Sequence, residues 1–190
     1  MSVPTVAWVL PRPPKSCYPG GVPLHFEIKL LRHLGILPNK KILQPFGGMG
    51  IYGLRCDLRI DHPLSQKFGE KVKWKKPNLI ADAHVLPFKS NYFDLVFCDP
   101  PYSAEESKRI YKTPKINYKL YINEAVRVCK IGGFIASYHV VMTPRPNNTK
   151  YHSRIFLGTR IWHRLRVCCI FQKIDEINEK KIIKKIGLLF

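Results

Sequence analysis

Acidic residues are scarce in this chain: 13 Asp and Glu stand against 32 Lys and Arg among 190 residues, a formal net charge of +19. An excess that large favours polyanionic partners, above all nucleic-acid phosphates, through release of their counterions. Long apolar runs are also missing. No segment approaches the roughly eighteen consecutive apolar residues of a membrane span, so no membrane association is expected. The opening MSVPTVAWVLPRPPK has no leading basic region and does not read as a signal peptide. The six cysteines (Cys17, Cys56, Cys98, Cys129, Cys168, Cys169) form no C-x-x-C pair, which speaks against a zinc site. Several sit in apolar runs, as buried free thiols do, and a reducing, cytoplasmic setting is expected. No internal repeat or linker divides the chain, so residues 1–190 are read as one domain.

What is present is an ordinary folded composition, 45% hydrophobic and 24% charged. Residues 1–23, rich in Pro and Gly, read as an N-terminal arm. A helix is predicted from Pro23 or Leu24 to about His33, with Leu24, Ile28, Leu31 and Leu34 as its apolar face and Gly35 at its C-terminal cap. Short apolar runs follow, each ending in a loop with Gly, Asp or Pro: Lys41–Phe46, Gly53–Leu58, Asn78–Asp82, Phe93–Cys98 and Gly133–Val141. LYINEAVRVCK supplies a helix with Leu120, Tyr121, Ala125 and Val128 on one face. This alternation predicts an α/β, doubly wound, Rossmann-like fold with a mostly parallel sheet. Ile155–Leu157 and Arg164–Gln172 are read as an antiparallel pair at one edge. Residues 62–78 form a basic insertion, and residues 174–190 a basic, amphipathic C-terminal tail.

The strongest chemical signal is FDLVFCDPPYS, Phe93 to Ser103, where an apolar strand runs into Asp99, Pro100, Pro101 and Tyr102. Strand carboxyl ends in such sheets face the ligand crevice. The lone pair of an exocyclic base amine is delocalised into its ring. A carboxylate and a proline carbonyl accepting its two N–H bonds favour a more nucleophilic nitrogen. Proline carries no N–H and fixes φ, and a tyrosine ring offers an extruded base a face to stack on. The second signal is ILQPFGGMG, where Pro45, Phe46, Gly47, Gly48 and Gly50 close the first strand of the alternating region and bring backbone amides to a ligand. Asp57 ends the next apolar run, where it can accept from ribose hydroxyls. Asp82, followed by Ala83, ends the third, where it can accept from a cofactor's adenine amine.

These motifs resemble the class I S-adenosylmethionine-dependent methyltransferases, and among them the amino-methylating DNA methyltransferases. PFGGMG resembles their F-x-G-x-G motif and DPPY their catalytic motif. DAHVLPFKSNYFDLVFCDPPY and NEAVRVCKIGGFIASYHVV resemble the flanking segments, so about Ile42 to Val141 is covered. CYPGGVPLHFEIKLL loosely matches the segment near the methionine end of the cofactor. The resemblance implies S-adenosylmethionine as cofactor, held by Phe46, Gly48, Gly50, Asp57 and Asp82. It implies a target amine held by Asp99, Pro100 and Tyr102, and direct in-line transfer with no metal. The acid that opens DPPY is associated with adenine N6 ahead of cytosine N4. DNA is the expected substrate, with RNA as a close rival. A non-catalytic nucleic-acid-binding protein and a small-molecule methyltransferase are the other readings. Gly50 and Asp57 are only seven positions apart, so the first crossover must be a short loop, and Asp61 rivals Asp57 for the ribose. Lys67, Lys71, Lys73, Lys75 and Lys76 around Trp74, together with Arg145 in RPNNTKYHSR, are candidate nucleic-acid contacts. His84 and His139 are read as structural.

Overall fold

The computed structural model describes residues 2–12, 21–60, 75–160 and 164–175. Its strands are β1 (Thr5–Val9), β2 (Ile42–Gln44), β3 (Leu54–Asp57), β4 (Leu79–Ile80), β5 (Phe93–Cys98), β6 (Cys129–His139), β7 (Thr149–Gly158) and β8 (Arg166–Lys173). They form one eight-stranded sheet in the order β1-β7-β8-β6-β5-β2-β3-β4. Every pairing is parallel except those of β8 with β6 and with β7. This is the doubly wound, mostly parallel sheet expected, with two differences. The antiparallel β7–β8 pair is not the edge, because β1 lies outside it. The N-terminal arm is therefore partly sheet, with Thr5–Val9 paired in register to Arg154–Gly158.

Helices α1 (Phe26–His33) and α2 (Tyr118–Val128) cover opposite faces. Under α1 lies a core of Phe26, Leu30, Leu31, Ile42, Leu95, Phe97, Tyr138 and Ile170. Under α2 lies a second, of Leu43, Val96, Tyr121, Ile122, Ala125, Val126, Ile135 and Phe171. The buried face of α1 keeps Leu31 and Leu34 of the expected one but is rotated away from Leu24 and Ile28. Leu24 is 39% exposed, and residues 26, 27 and 30 point inward instead. Leu120, expected inward, is likewise 38% exposed, while Ile122 and Val126 are buried. Asn117 starts α2 two residues earlier than expected, its side chain accepting from the amides of Lys119 and Leu120.

Parallel neighbours are usually joined by a dozen or more residues with a helix. Here β2 and β3 are joined by residues 45–53 alone, the short loop that the sequence required. Gly53 makes it possible: its φ is +81°, and a Cβ there would sit 2.4 Å from the Ile42 carbonyl oxygen. The thiols of Cys56, Cys98, Cys129, Cys168 and Cys169 are free and buried. Among the described residues no helix is long and apolar enough to cross a membrane.

Candidate active site

The carboxyl ends of β2, β3, β4 and β5 and the N-terminal part of α1 enclose a cavity of about 520 Å³. All twelve residues expected to hold cofactor or target amine line it: Pro45, Phe46, Gly47, Gly48, Gly50, Asp57, Asp82, Ala83, Asp99, Pro100, Pro101 and Tyr102. Ile28 and Leu24 also face it rather than the core.

The glycine loop is shaped by polar ties that the sequence did not advertise. Glu27 of α1, 7% exposed, accepts from the backbone amides of Ile51 (2.9 Å) and Tyr52 (3.1 Å) and from the Gln44 amide nitrogen (2.9 Å). That same nitrogen donates to the Tyr52 carbonyl at 2.8 Å. Gly50 lies against Gln44, where a Cβ would come within 2.3 Å of the side-chain oxygen. On the far side, the buried Arg55 guanidinium donates to the carbonyls of Gly48 (3.3 Å), Lys75 (2.9 Å) and Lys76. A buried guanidinium with backbone acceptors clamps several segments at once. Burial works against its charge and Glu27 supports it. The Asn78 side chain accepts from the Arg55 amide, extending the β3–β4 pairing.

Asp57 sits at the end of β3, and its carboxylate accepts from the backbone N–H groups of Gly48, Leu58 and Arg59. Burial nevertheless raises its pKa, these donors acting in the opposite sense. Three donors leave about one of the four carboxylate lone-pair positions open. Asp82 accepts at Oδ1 from the His84 amide and from its Nδ1, both at 2.8 Å. His84 Nε2 accepts from the Asn117 amide at 3.0 Å, which places the ring proton on Nδ1 and gives this histidine a structural post. Asp82 Oδ2 takes no hydrogen bond among the described residues.

Asp99 follows β5 directly. Burial pushes its carboxyl up to about 8; the Tyr102 hydroxyl and the Arg166 guanidinium hold it back, while Glu106 and Glu27 push it further. Tyr102 donates its hydroxyl to Asp99 Oδ1 at 3.3 Å. Its amide donates to Glu106 (3.0 Å), whose own amide donates to Ser103 Oγ at the start of a short helical turn, Ala104–Glu106. Arg166 of β8 donates to the Tyr102 hydroxyl at 3.4 Å, and its guanidinium stands 5.7 Å from the ring centre. His139 packs edge-on against the same ring at 5.1 Å. Burial lowers its pKa, and its Nδ1 accepts from the Val141 amide.

Five carboxylates therefore line the cavity (Glu27, Asp57, Asp82, Asp99 and Glu106), and among the described residues no Lys or Arg does. In a chain of net charge +19 this gathers acidic side chains in one place, one of which, Asp99, is held protonated up to about pH 8 by burial. Glu27, Gln44, Glu106 and Arg166 were not anticipated. For Glu27 a signal existed: with Leu30, Leu31 and Leu34 it shares the i, i+3, i+4, i+7 stripe, an acid on an apolar face.

The expected nucleic-acid contacts are not gathered here. Lys75 reaches the Gly50 carbonyl at 3.5 Å, at the rim of the loop. Arg145 donates to the Thr149 carbonyl and braces its own turn. Asp61, Lys67, Lys71, Lys73 and Trp74 lie outside the described residues, as do residues 176–190 of the tail.

No protein-family model matches the chain, and no curated protein does. Solved structures do. A Burkholderia thailandensis 1,6-didemethyltoxoflavin-N1-methyltransferase, solved with 1,6-didemethyltoxoflavin and S-adenosylhomocysteine, is similar over 78% of this chain and 76% of its own at 13% identity and a TM-score of 0.50. A Methanosarcina mazei S-adenosylmethionine-dependent methyltransferase aligns over 77% of this chain and 98% of its own at 13% identity and 0.46. A Bacillus halodurans protein described as a methyltransferase aligns over 63% of this chain at 21% identity and 0.40, and the chain spans about half of that protein, 53%. At such identities the likeness speaks for architecture: the chain has the Rossmann-like α/β fold seen in methyltransferases.

Proposed function

We propose that this chain is an S-adenosylmethionine-dependent methyltransferase that methylates an exocyclic base amine in nucleic acid, adenine N6 in DNA. The observation that carries the reading is the acidic cavity at the strand ends of an otherwise basic protein. A sulfonium cofactor carries a net positive charge at its methionine end, and a cavity of acidic side chains without a Lys or Arg among the described residues suits it. Its size also suits a nucleoside-bearing ligand, since small-molecule pockets run to several hundred Å³. Asp57 and Asp82 each keep acceptor capacity for ribose hydroxyls and an adenine amine, and residues 46–50 offer a loop held close by Gln44 and Glu27. When bound, the cofactor supplies an electrophilic methyl group.

The remaining work falls to this chain's own side chains. Asp99 and the Pro100 carbonyl accept the two N–H bonds of the target amine, drawing its lone pair out of the ring. Tyr102 positions Asp99 through its hydroxyl, and Arg166 helps the carboxyl to ionise. Positioning of the two reactants provides much of the acceleration. The phosphate-seeking charge lies outside the cavity, so a base enters while its phosphates stay out.

Incubation with tritiated S-adenosylmethionine and separate DNA and RNA substrates, followed by nucleoside mass spectrometry, tests this reading. N6-methyladenine in DNA is expected, with a loss of at least about 100-fold in Asp99→Ala, in line with removal of one well-placed polar group in a catalytic site. Methylated base amines in RNA alone would move the substrate to RNA. Failure to bind the cofactor in isothermal titration would overturn the enzyme reading and leave a nucleic-acid-binding protein.

A further inference from the structure

A second depression, about 760 Å³ and open to solvent, is lined by Trp8, His25, Ile28, Lys29, Arg32 and His33. Helix periodicity makes part of it: Lys29 and Arg32, at i and i+3, share one face of α1, His25 stands at the helix's N-terminal cap with a φ of +63°, and all three are exposed. At 1.5 Å per residue, Lys29 and Arg32 stand about 4.5 Å apart along the helix axis. Its floor is Trp8, with the Lys29 ammonium 4.7 Å from the ring centre and His33 edge-on at 5.6 Å. No carboxylate lines this depression, in contrast to the five of the neighbouring cavity. The two are adjacent, since His25 and Ile28 line both.

The contrast in charge poses a problem that the groove answers. A nucleotide whose base enters an acidic cavity carries phosphates that the same cavity repels. Those phosphates need cations just outside its mouth. We propose that the α1 groove is the DNA backbone track: phosphates lie over Lys29 and Arg32, and the strand passes His25 where its base turns into the cavity. This inference rests on the nucleic-acid reading above and names the surface on which that substrate lies.

The test is the double variant Lys29→Ala/Arg32→Ala, both side chains being exposed and outside the two cores. Binding of a labelled single-stranded oligodeoxynucleotide is followed by fluorescence anisotropy across a salt series. Losing two phosphate contacts flattens the log–log salt slope by about 1.4, or about 0.7 for each contact on a single strand. In methyl transfer to the same strand, KM rises while kcat holds, and binding of S-adenosylhomocysteine by titration calorimetry is unchanged. Lys89→Ala is the comparison for removal of a positive charge elsewhere, since Lys89 lies over Tyr92 against the α2-side core. A slope change in the double variant no larger than that of Lys89→Ala overturns the track. A change seen only with an oligoribonucleotide of the same sequence overturns its assignment to DNA. If the parent protein transfers no methyl group to any strand, the functional reading falls, but the salt series still decides whether the groove binds a backbone.

Discussion

The two halves of the sheet are built in different ways. From β5 to β8 the strands run six to eleven residues, pair in long ladders and bury Val96, Ile135, Ile170 and Phe171 completely. From β2 to β4 they run two to four residues, and Leu79 and Ile80 of β4 are exposed. That half is held by side chains reaching backbone: Glu27 to residues 51 and 52, Arg55 to 48, 75 and 76, and Asn78 to 55. Apolar burial carries the first half and buried polar ties the second. The polar half holds the glycine loop, whose residues line the cavity rather than pair with a neighbouring strand.

This contrast can be broken at either end. The largest effect is expected in the ladder half. Phe171→Ala, at a fully buried position packed on Tyr151, should cost about 3–5 kcal/mol by urea unfolding and leave cofactor affinity of the folded fraction unchanged. Glu27→Ala should cost somewhat less, about 3 kcal/mol, because it strands two backbone amides and removes one of the two acceptors of the Gln44 amide in a buried setting. Unlike the ladder variant, it should weaken S-adenosylhomocysteine binding as well, measured by calorimetry. Equal cofactor affinity in the two variants would erase the distinction.

The smallest effect concerns Asp99, at the junction of the halves. Its carboxyl is raised by burial from the ordinary 3.8 to about 8. Between those values the folded chain holds a proton that the unfolded chain releases, so stability falls as pH rises through that window. Asp99→Asn should therefore gain in thermal midpoint over the parent from about pH 4 to pH 8, by about 2 °C or more, in differential scanning calorimetry. Activity runs the other way: methyl transfer by the parent should climb toward about pH 8 as the acceptor ionises. Arg166→Met should move that inflection to higher pH, since Arg166 favours the ionised form.

The sequence revealed whatever is written locally. β5 was placed to the residue because an apolar run meets Asp-Pro, and the cavity-lining motifs were legible because strand ends deliver them together. The edge strand β1 was hidden. Its TVAWV lies among prolines, and its partner is Arg154–Gly158, some 150 positions away. The inward face of α1 was only partly judged, Leu31 and Leu34 being buried as expected but Leu24 and Ile28 not, because Glu27 interrupts the apolar face with a charge whose partners come from another loop. Arg166 was invisible for a similar reason: nothing in RVCCIFQK says which residue of β5's loop it will meet.

Helix α1 carries Glu27 on its inner side, bonded to the loop that faces the cofactor cavity, and Lys29 and Arg32 on its outer side. If both proposed sites are occupied, α1 touches their ligands through opposite faces and is a lever between them. A strand that settled on the outer face and shifted α1 would alter the loop through Glu27. Thermodynamic reciprocity then requires the cofactor to change strand affinity by the same factor. The order in which the two arrive would not matter to that factor, and Glu27 is the residue through which it would be transmitted.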